Sequence, residues 1–215
     1  MKSNPNKSVD KYIEHGEMIL RTDSKNMDEH NPWALVDTMR GLLHTRLSQL
    51  KVKTKILNEL NEKFHDNTVQ KADVILKIKN DILKLKVFIE NAYYFDAERL
   101  FSKLSIDRPL PIDEAGLLQY VKDLVGAIGR YDEQRFPLPV EYTQQVDSYI
   151  AEMELLIEKS RDFRQKREVL VKNREMALDQ FREIIPPIRR WLWKMLPEGR
   201  MDERLYEYGF KPYGK

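Results

Sequence analysis

The chain has 215 residues, with 37 basic and 35 acidic side chains and a net charge of +2. This near-cancellation excludes nucleic-acid or lipid binding driven by global charge, so any such binding needs a local patch. With no Cys the chain has no disulfide, thiolate metal site or cysteine nucleophile, and 33% charged against 41% hydrophobic residues with only 8 Gly and 10 Pro favours long helices over sheets.

Residues 1–31 read as a flexible N-terminal segment with a possible short helix. Met1 to Lys7 is polar and is expected to be disordered. Ser8 can cap a helix that puts Val9, Tyr12, Ile13, Ile19 and Leu20 roughly on one side, although Gly16 weakens it by about 1 kcal/mol relative to Ala. The run TDSKNMDEHN that follows reads as a loop. The first twenty residues contain no apolar core of signal-peptide length, and no stretch approaches the 18 apolar residues of a membrane span. A soluble cytoplasmic protein is the expectation.

Residues 32–196 read as a helical bundle. Asn31 followed by Pro32 marks a helix start, with a capping residue and then Pro at the first helical position. Val36, Leu43, Leu50, Leu57 and Phe64 recur every seven residues, which predicts a helix over 32–64. His65 to Thr68 read as a connector, with Asn67 as the next cap and Gln70 at the third helical position. The second helix carries the cleanest heptad, Ile75, Ile78, Ile82, Leu85, Ile89 and Ala92, and is expected to continue to residue 103. So short a connector predicts an antiparallel hairpin.

The two prolines of LSIDRPLPID break the pattern. Asp113 then caps a third helix, with Leu117, Val121, Leu124, Ile128 and Tyr131 at steps of four and three, expected to end near Asp132. Pro139 opens a fourth helix. Its seam runs through Val146, Tyr149, Met153, Leu156, Ser160, Phe163, Arg167, Leu170, Arg174, Ala177, Phe181 and Ile184. Pro186 and Pro187 are expected to end or kink it and to open a short helix that keeps the same phase through Ile188, Trp191 and Met195. Residues 197–215 read as a turn, a short helix capped by Asp202 and stopped by Gly209, and a tail on which Phe210 packs back.

Few residues suggest chemistry. Glu62 and His65 have the E-x-x-H spacing of carboxylate-bridged di-iron bundles, but all four His precede residue 66, so the second copy that such a site needs is missing. They read as polar residues at a helix end. Arg40 and His44 lie one turn apart, and an Arg/His pair can serve phosphodiester cleavage. The helical ribonucleases called HEPN are the nearest comparison, yet their R-x4-6-H spacing is not met, because only three residues intervene. Gly-rich phosphate loops, serine elbows and metal-binding His pairs are also missing. The chain is therefore read as non-catalytic, with no cofactor and no metal.

Two surfaces remain. In the middle of the fourth helix Ser160, Arg167 and Arg174 stand where apolar seam residues would be expected, with Arg161, Arg164, Lys166 and Lys172 nearby. The stripe reads as a solvated face, as arginines paired with Glu of neighbouring helices, or as a site for phosphates or an acidic partner. The second surface is IRRWLWKML, with Arg189, Arg190, Trp191 and Trp193, read as a packed cap on the bundle or as an exposed Trp-basic surface for a membrane interface or nucleic-acid bases.

The sequence thus predicts an all-α, elongated antiparallel bundle of four main helices, coiled-coil-like and with short C-terminal helices. The leading function is a helical adaptor or small assembly subunit that binds a protein partner. Self-association, most simply as a two-fold dimer, is expected because the fourth helix outruns the third and leaves seam uncovered unless the N-terminal segment lies over it. The alternative is a nucleic-acid-binding accessory subunit using the basic strip. A further alternative, a peripheral membrane protein, rests on the Trp-rich segment alone.

Overall fold

The computed structural model describes residues 5–130, 137–138 and 140–212. The fold is all-α, and no strand occurs among the described residues. In chain order the elements are α1 (Pro5–Asp28), α2 (Asp37–Ala92), α3 (Ala97–Lys103), α4 (Glu114–Ile128) and α5 (Val140–Met195). Two 3-10 turns follow, Gly199–Met201 and Glu203–Tyr206. No helix among the described residues is long and apolar enough to cross a membrane.

The hairpin expected around His65 to Thr68 does not form: α2 is one helix of 56 residues. Asn67, the expected cap, and Thr68 of the expected connector both lie inside the helix without ending it. Thr68 Oγ1 donates to the Phe64 carbonyl one turn back, at 2.9 Å. Asn67 turns away from its own backbone and donates to Leu156 O and Ser160 Oγ of α5, at 3.1 and 2.8 Å. A capping side chain competes with a helix only when it bonds its own backbone, and here it does not. The helix does end earlier than expected, at Ala92, and α3 is a separate short helix.

Other boundaries move for similar reasons. The run TDSKNMDEHN is helical through Asp28, because Asp23 and Asn26 are buried with partners of their own. Asn31 does not cap α2, which begins at Asp37; its amide donates to Asn26 Oδ1 at 2.8 Å. Pro186 and Pro187 lie inside α5 and open no separate helix. The prolines have no N–H for the carbonyls of Arg182 and Glu183 one turn back, and both of those residues are exposed. Asp113 caps α4 as expected, accepting from Gly116 N at 2.7 Å, and the helix ends at Ile128. Tyr131, Asp132 and Pro139 lie outside the described residues.

The chain divides into two compact units. The first comprises Met1–Asn61 and Lys166–Lys215. Within it α1, the start of α2 and the end of α5 surround Ile19, Leu43, Leu47, Leu50, Phe181 and Ile188, and Leu205, Tyr208 and Phe210 close the core. Gly16 is a point of close approach: a Cβ there would lie 2.8 Å from Phe181 Cζ and 3.0 Å from Leu47 Cδ1. The residue that weakened the helix by propensity is what lets α1 pack. Gly209 takes a left-handed φ of 76° and Phe210 is buried behind it.

The second unit comprises Glu62–Gln165. Its core is the isoleucine seam of α2 (Ile78, Ile82, Ile89), Leu100 of α3, Leu117, Tyr120, Val121 and Leu124 of α4, and Val146, Met153 and Leu156 of α5. Within each unit α2 and α5 run antiparallel. Arg46 pairs with Gln180 and Asn61 with Arg167 in the first, and Asn67 pairs with Ser160 and Asp81 with Tyr149 in the second.

Candidate functional site

The expected arginine strip separates into residues with different environments. Arg174 is 5% exposed, so it presents almost no surface to a partner. Ser160 is also buried, donating to Leu156 O and accepting from Asn67. Arg167 is exposed, and its Nε donates to Asn61 Oδ1 at 3.1 Å. Arg161, Arg164, Lys166 and Lys172 are exposed. The uninterrupted row of guanidinium groups that would grip a phosphate backbone is therefore broken at its core positions.

Arg40 and His44 do not form a working pair. Arg40 Nε donates to the buried carboxylate of Asp23 at 2.5 Å, Nη2 to Leu35 O at 2.6 Å and Nη1 to Asp37 Oδ1 at 2.8 Å. The hydrogen bond to Asp23 is the main reason its pKa is raised. His44 is exposed beside α1, and Glu62 and His65 are exposed on α2.

The Trp-rich end of α5 is more organised. Trp191 is half-buried, and its indole N–H donates to Ala34 O at 3.3 Å, anchoring it to the turn before α2. Trp193 has two guanidinium groups over its ring, Arg189 at 4.8 Å and Arg200 at 4.6 Å from the centroid. Its indole nitrogen is buried and has no hydrogen-bond partner among the described residues. Arg204 lies over Trp33 at 4.6 Å while chelating Asp202, which caps the last 3-10 turn. Ile188 and Leu192 of the segment pack in the core as the cap reading expects, while Arg189, Arg190 and Lys194 are exposed.

That outer face lines a cleft of about 490 Å³ formed by Met39, Pro187, Arg190, Trp191, Trp193, Lys194 and Arg200. At Met39 and Pro187 it meets a second cleft of about 310 Å³, which includes Leu42, Arg46 and Ile184. At Gln180 that cleft meets a third, about 490 Å³, which includes Val52, Lys53 and Met176. All three lie in the first unit.

Of the residues singled out from the sequence, Arg190, Trp191 and Trp193 come together at this cleft. Arg189 touches it through Trp193. Arg161, Arg164, Arg167, Lys172 and Arg174 do not line it. Sequence reasoning missed Leu42, Arg46, Val52, Lys53, Met176 and Arg200. A signal existed for three of them, since Leu42, Val52 and Met176 are apolar residues lying off the heptad seam. Compared with protein-family models, curated proteins and solved structures, the chain has no match.

Proposed function

We propose that the chain is a non-catalytic helical interaction module whose binding face is the open side of the α2–α5 pair in the first unit. One observation supports this most: Leu42, Val52 and Met176 are 47, 51 and 56% exposed along a single groove. Apolar side chains scattered singly are ordinary, but a row of them in a groove is the surface that a partner covers. Lys53, Arg190 and Lys194 border the row and would orient what binds.

Self-association was expected because seam on α5 would be left uncovered. In the first unit α1 supplies that cover, with Tyr12 edge-on to Phe181 at 6.4 Å. Nothing in that cover singles out a second copy of the chain as the partner.

The test is a benzophenone side chain placed by unnatural-residue incorporation at Leu42, with Leu83 on the second unit as the control. Leu83 is equally exposed. The expected result in living cells is a discrete protein adduct at position 42 and none at position 83. Adducts to nucleic acid, the same adducts at both positions, or no adduct at position 42 would remove the reading.

A further inference from the structure

We infer that the segment taken up by this face is an acidic amphipathic α-helix of another protein, an inference that rests on the interaction-module reading. The shape of the groove points to a helix. Its three clefts join end to end, from Lys53 to Thr38 along α2 and from Asn173 to Lys194 along α5. At 1.5 Å per residue these stretches are about 22 and 32 Å long, the length of a helix of roughly 15 to 20 residues.

The same two helices already hold a helix on their other flank. Leu47 and Lys51 of α2 line the cleft against α1, and Lys51 pairs with Glu17 at 2.5 Å. At 100° per residue, Leu42, Arg46 and Lys53 fall on the opposite side of Leu43 and Leu50 from Lys51. The corresponding positions on α5, Met176, Gln180 and Pro187, flank Ala177 and Ile184 in the same way. A helix packed in the open groove would meet Leu42, Val52 and Met176 with an apolar stripe, as α1 meets Leu47 and Phe181.

The charge of the groove points to acidic flanks on that helix. Arg46, Lys53, Arg190, Lys194 and Arg200 line it against the single carboxylate of Glu183. The ion pairs of the unit among the described residues lie elsewhere: Lys25 with Glu29, Arg40 with Asp23 and Asp37, Lys51 with Glu17, Lys55 with Glu59, Arg182 with Asp179 and Arg204 with Asp202. Arg46 meets only neutral amides, those of Gln180 at 2.7 Å and Gln49 at 3.3 Å. The five groove cations thus have no carboxylate partner among the described residues. Nucleic acid fits this chemistry less well. A stacking platform needs an open ring face, whereas Trp193 lies under two guanidinium groups and Trp191 is anchored to Ala34.

The experiment uses the full chain and a fluorescein-labelled synthetic peptide of about 20 residues. The peptide carries Leu and Phe at i, i+3, i+4 and i+7 and Glu on both flanks. Two control peptides have the same composition scrambled, or Lys in place of Glu. Fluorescence anisotropy is expected to give saturable binding with Kd below about 100 μM for the acidic amphipathic peptide and at least about tenfold weaker binding for both controls. Arg190→Glu combined with Lys194→Glu should weaken binding at least about tenfold, and so should Leu42→Asp alone. Leu83→Asp on the second unit should leave it unchanged. All the altered side chains are exposed, and a melting curve for each variant confirms folding.

Equal binding of the scrambled peptide, no saturable binding, or unchanged affinity in the groove variants would overturn the inference. So would single-stranded oligonucleotide or anionic vesicles binding more tightly with the same variant dependence, or self-association of the chain that the groove variants abolish. A protein adduct at position 42 without peptide binding overturns the acidic helix and leaves the interaction module standing, whereas no adduct at position 42 overturns the module itself.

Discussion

In the unit of Glu62–Gln165 the polar residues at the seam form a layer across the helices, whereas in the unit of Met1–Asn61 and Lys166–Lys215 they tie the ends of the chain together. The layer consists of Asn67 and Lys71 of α2 with Ser160 of α5, and Lys71 Nζ also reaches Glu114 at 2.8 Å. It sits in a seam whose register the apolar repeat already sets, so its polar bonds refine an arrangement that isoleucines and leucines define. In the other unit Asp23 binds Leu35 N and Arg40, Asn26 Nδ2 donates to Tyr208 Oη at 2.9 Å, and His15 Nε2 bonds Tyr208 O at 3.1 Å. The last two contacts join residues 182 and 193 positions apart. A heptad core is specified by period, but a core closed by distant chain segments is specified by particular polar pairs. The two units should therefore fail under different kinds of substitution.

The largest effect is expected from Ile82→Asp. Ile82 is 3% exposed in the middle of the isoleucine seam. The change removes about 2 to 5 kcal/mol of burial and packing and adds a carboxylate that must be desolvated or protonated. Chemical denaturation should show a loss of about 5 kcal/mol or more, and amide hydrogen exchange should place most of it in residues 62–165. Equal loss of protection in both units would mean that they unfold as one and would erase the energetic contrast.

A smaller but still large loss, about 3 kcal/mol, is expected for Asp23→Ala. The Asp23 carboxylate is fully buried, and its removal leaves Arg40 Nε and the Leu35 N–H without their acceptor. No heptad position changes, so a purely periodic account of stability predicts little effect. Denaturation of this variant at neutral pH sharpens the comparison, because a loss below about 1 kcal/mol would mean that the polar pin contributes no more than a surface ion pair.

The same contrast explains what could be read from the sequence. Periodicity found the buried seam in both units: Leu43, Leu50 and Leu57, then Ile78, Ile82 and Ile89, then Met153, Leu156, Phe181 and Ile184 are all in the core. The local signal at Asp113 found a true cap, because its side chain bonds its own helix start. The same kind of signal misled at Asn67 and Asn31, whose side chains bond other elements, and at Pro186 and Pro187, which lie inside α5 with exposed residues one turn back. Gly16 and Asp23 looked like helix breakers because their partners, Phe181 and Arg40, lie elsewhere in the chain. At the candidate site, the Trp-basic run was visible as a cluster in sequence. Leu42, Arg46 and Met176 were not, since nothing local brings α2 residues beside α5.

The smallest expected effect is a pH dependence confined to the unit with the long-range ties. His15 packs edge-on to Phe210, with centroids 5.0 Å apart, and hydrogen-bonds the Tyr208 carbonyl through Nε2. Burial lowers its pKa from 6.5, and the hydrogen bond to Tyr208 O opposes this only in part. The folded state therefore prefers the neutral ring, and below pH 6.5 the unfolded state takes up more protons than the folded one. The stability contributed by the neutral ring is fully present above that value and is lost as pH falls from there through the folded-state pKa. Asp202 has its pKa lowered from 3.8, chiefly by the Arg204 hydrogen bond, so its own contribution is lost only at more acidic pH. Between about pH 7.5 and pH 5 the two are thus separated. Wild type should lose stability across that interval, His15→Gln should lose less, and hydrogen exchange in wild type should locate the loss in residues 9–20 and 205–210. Equal pH dependence in the two proteins would show that the His15 contact to the C-terminal turn tolerates the charged ring.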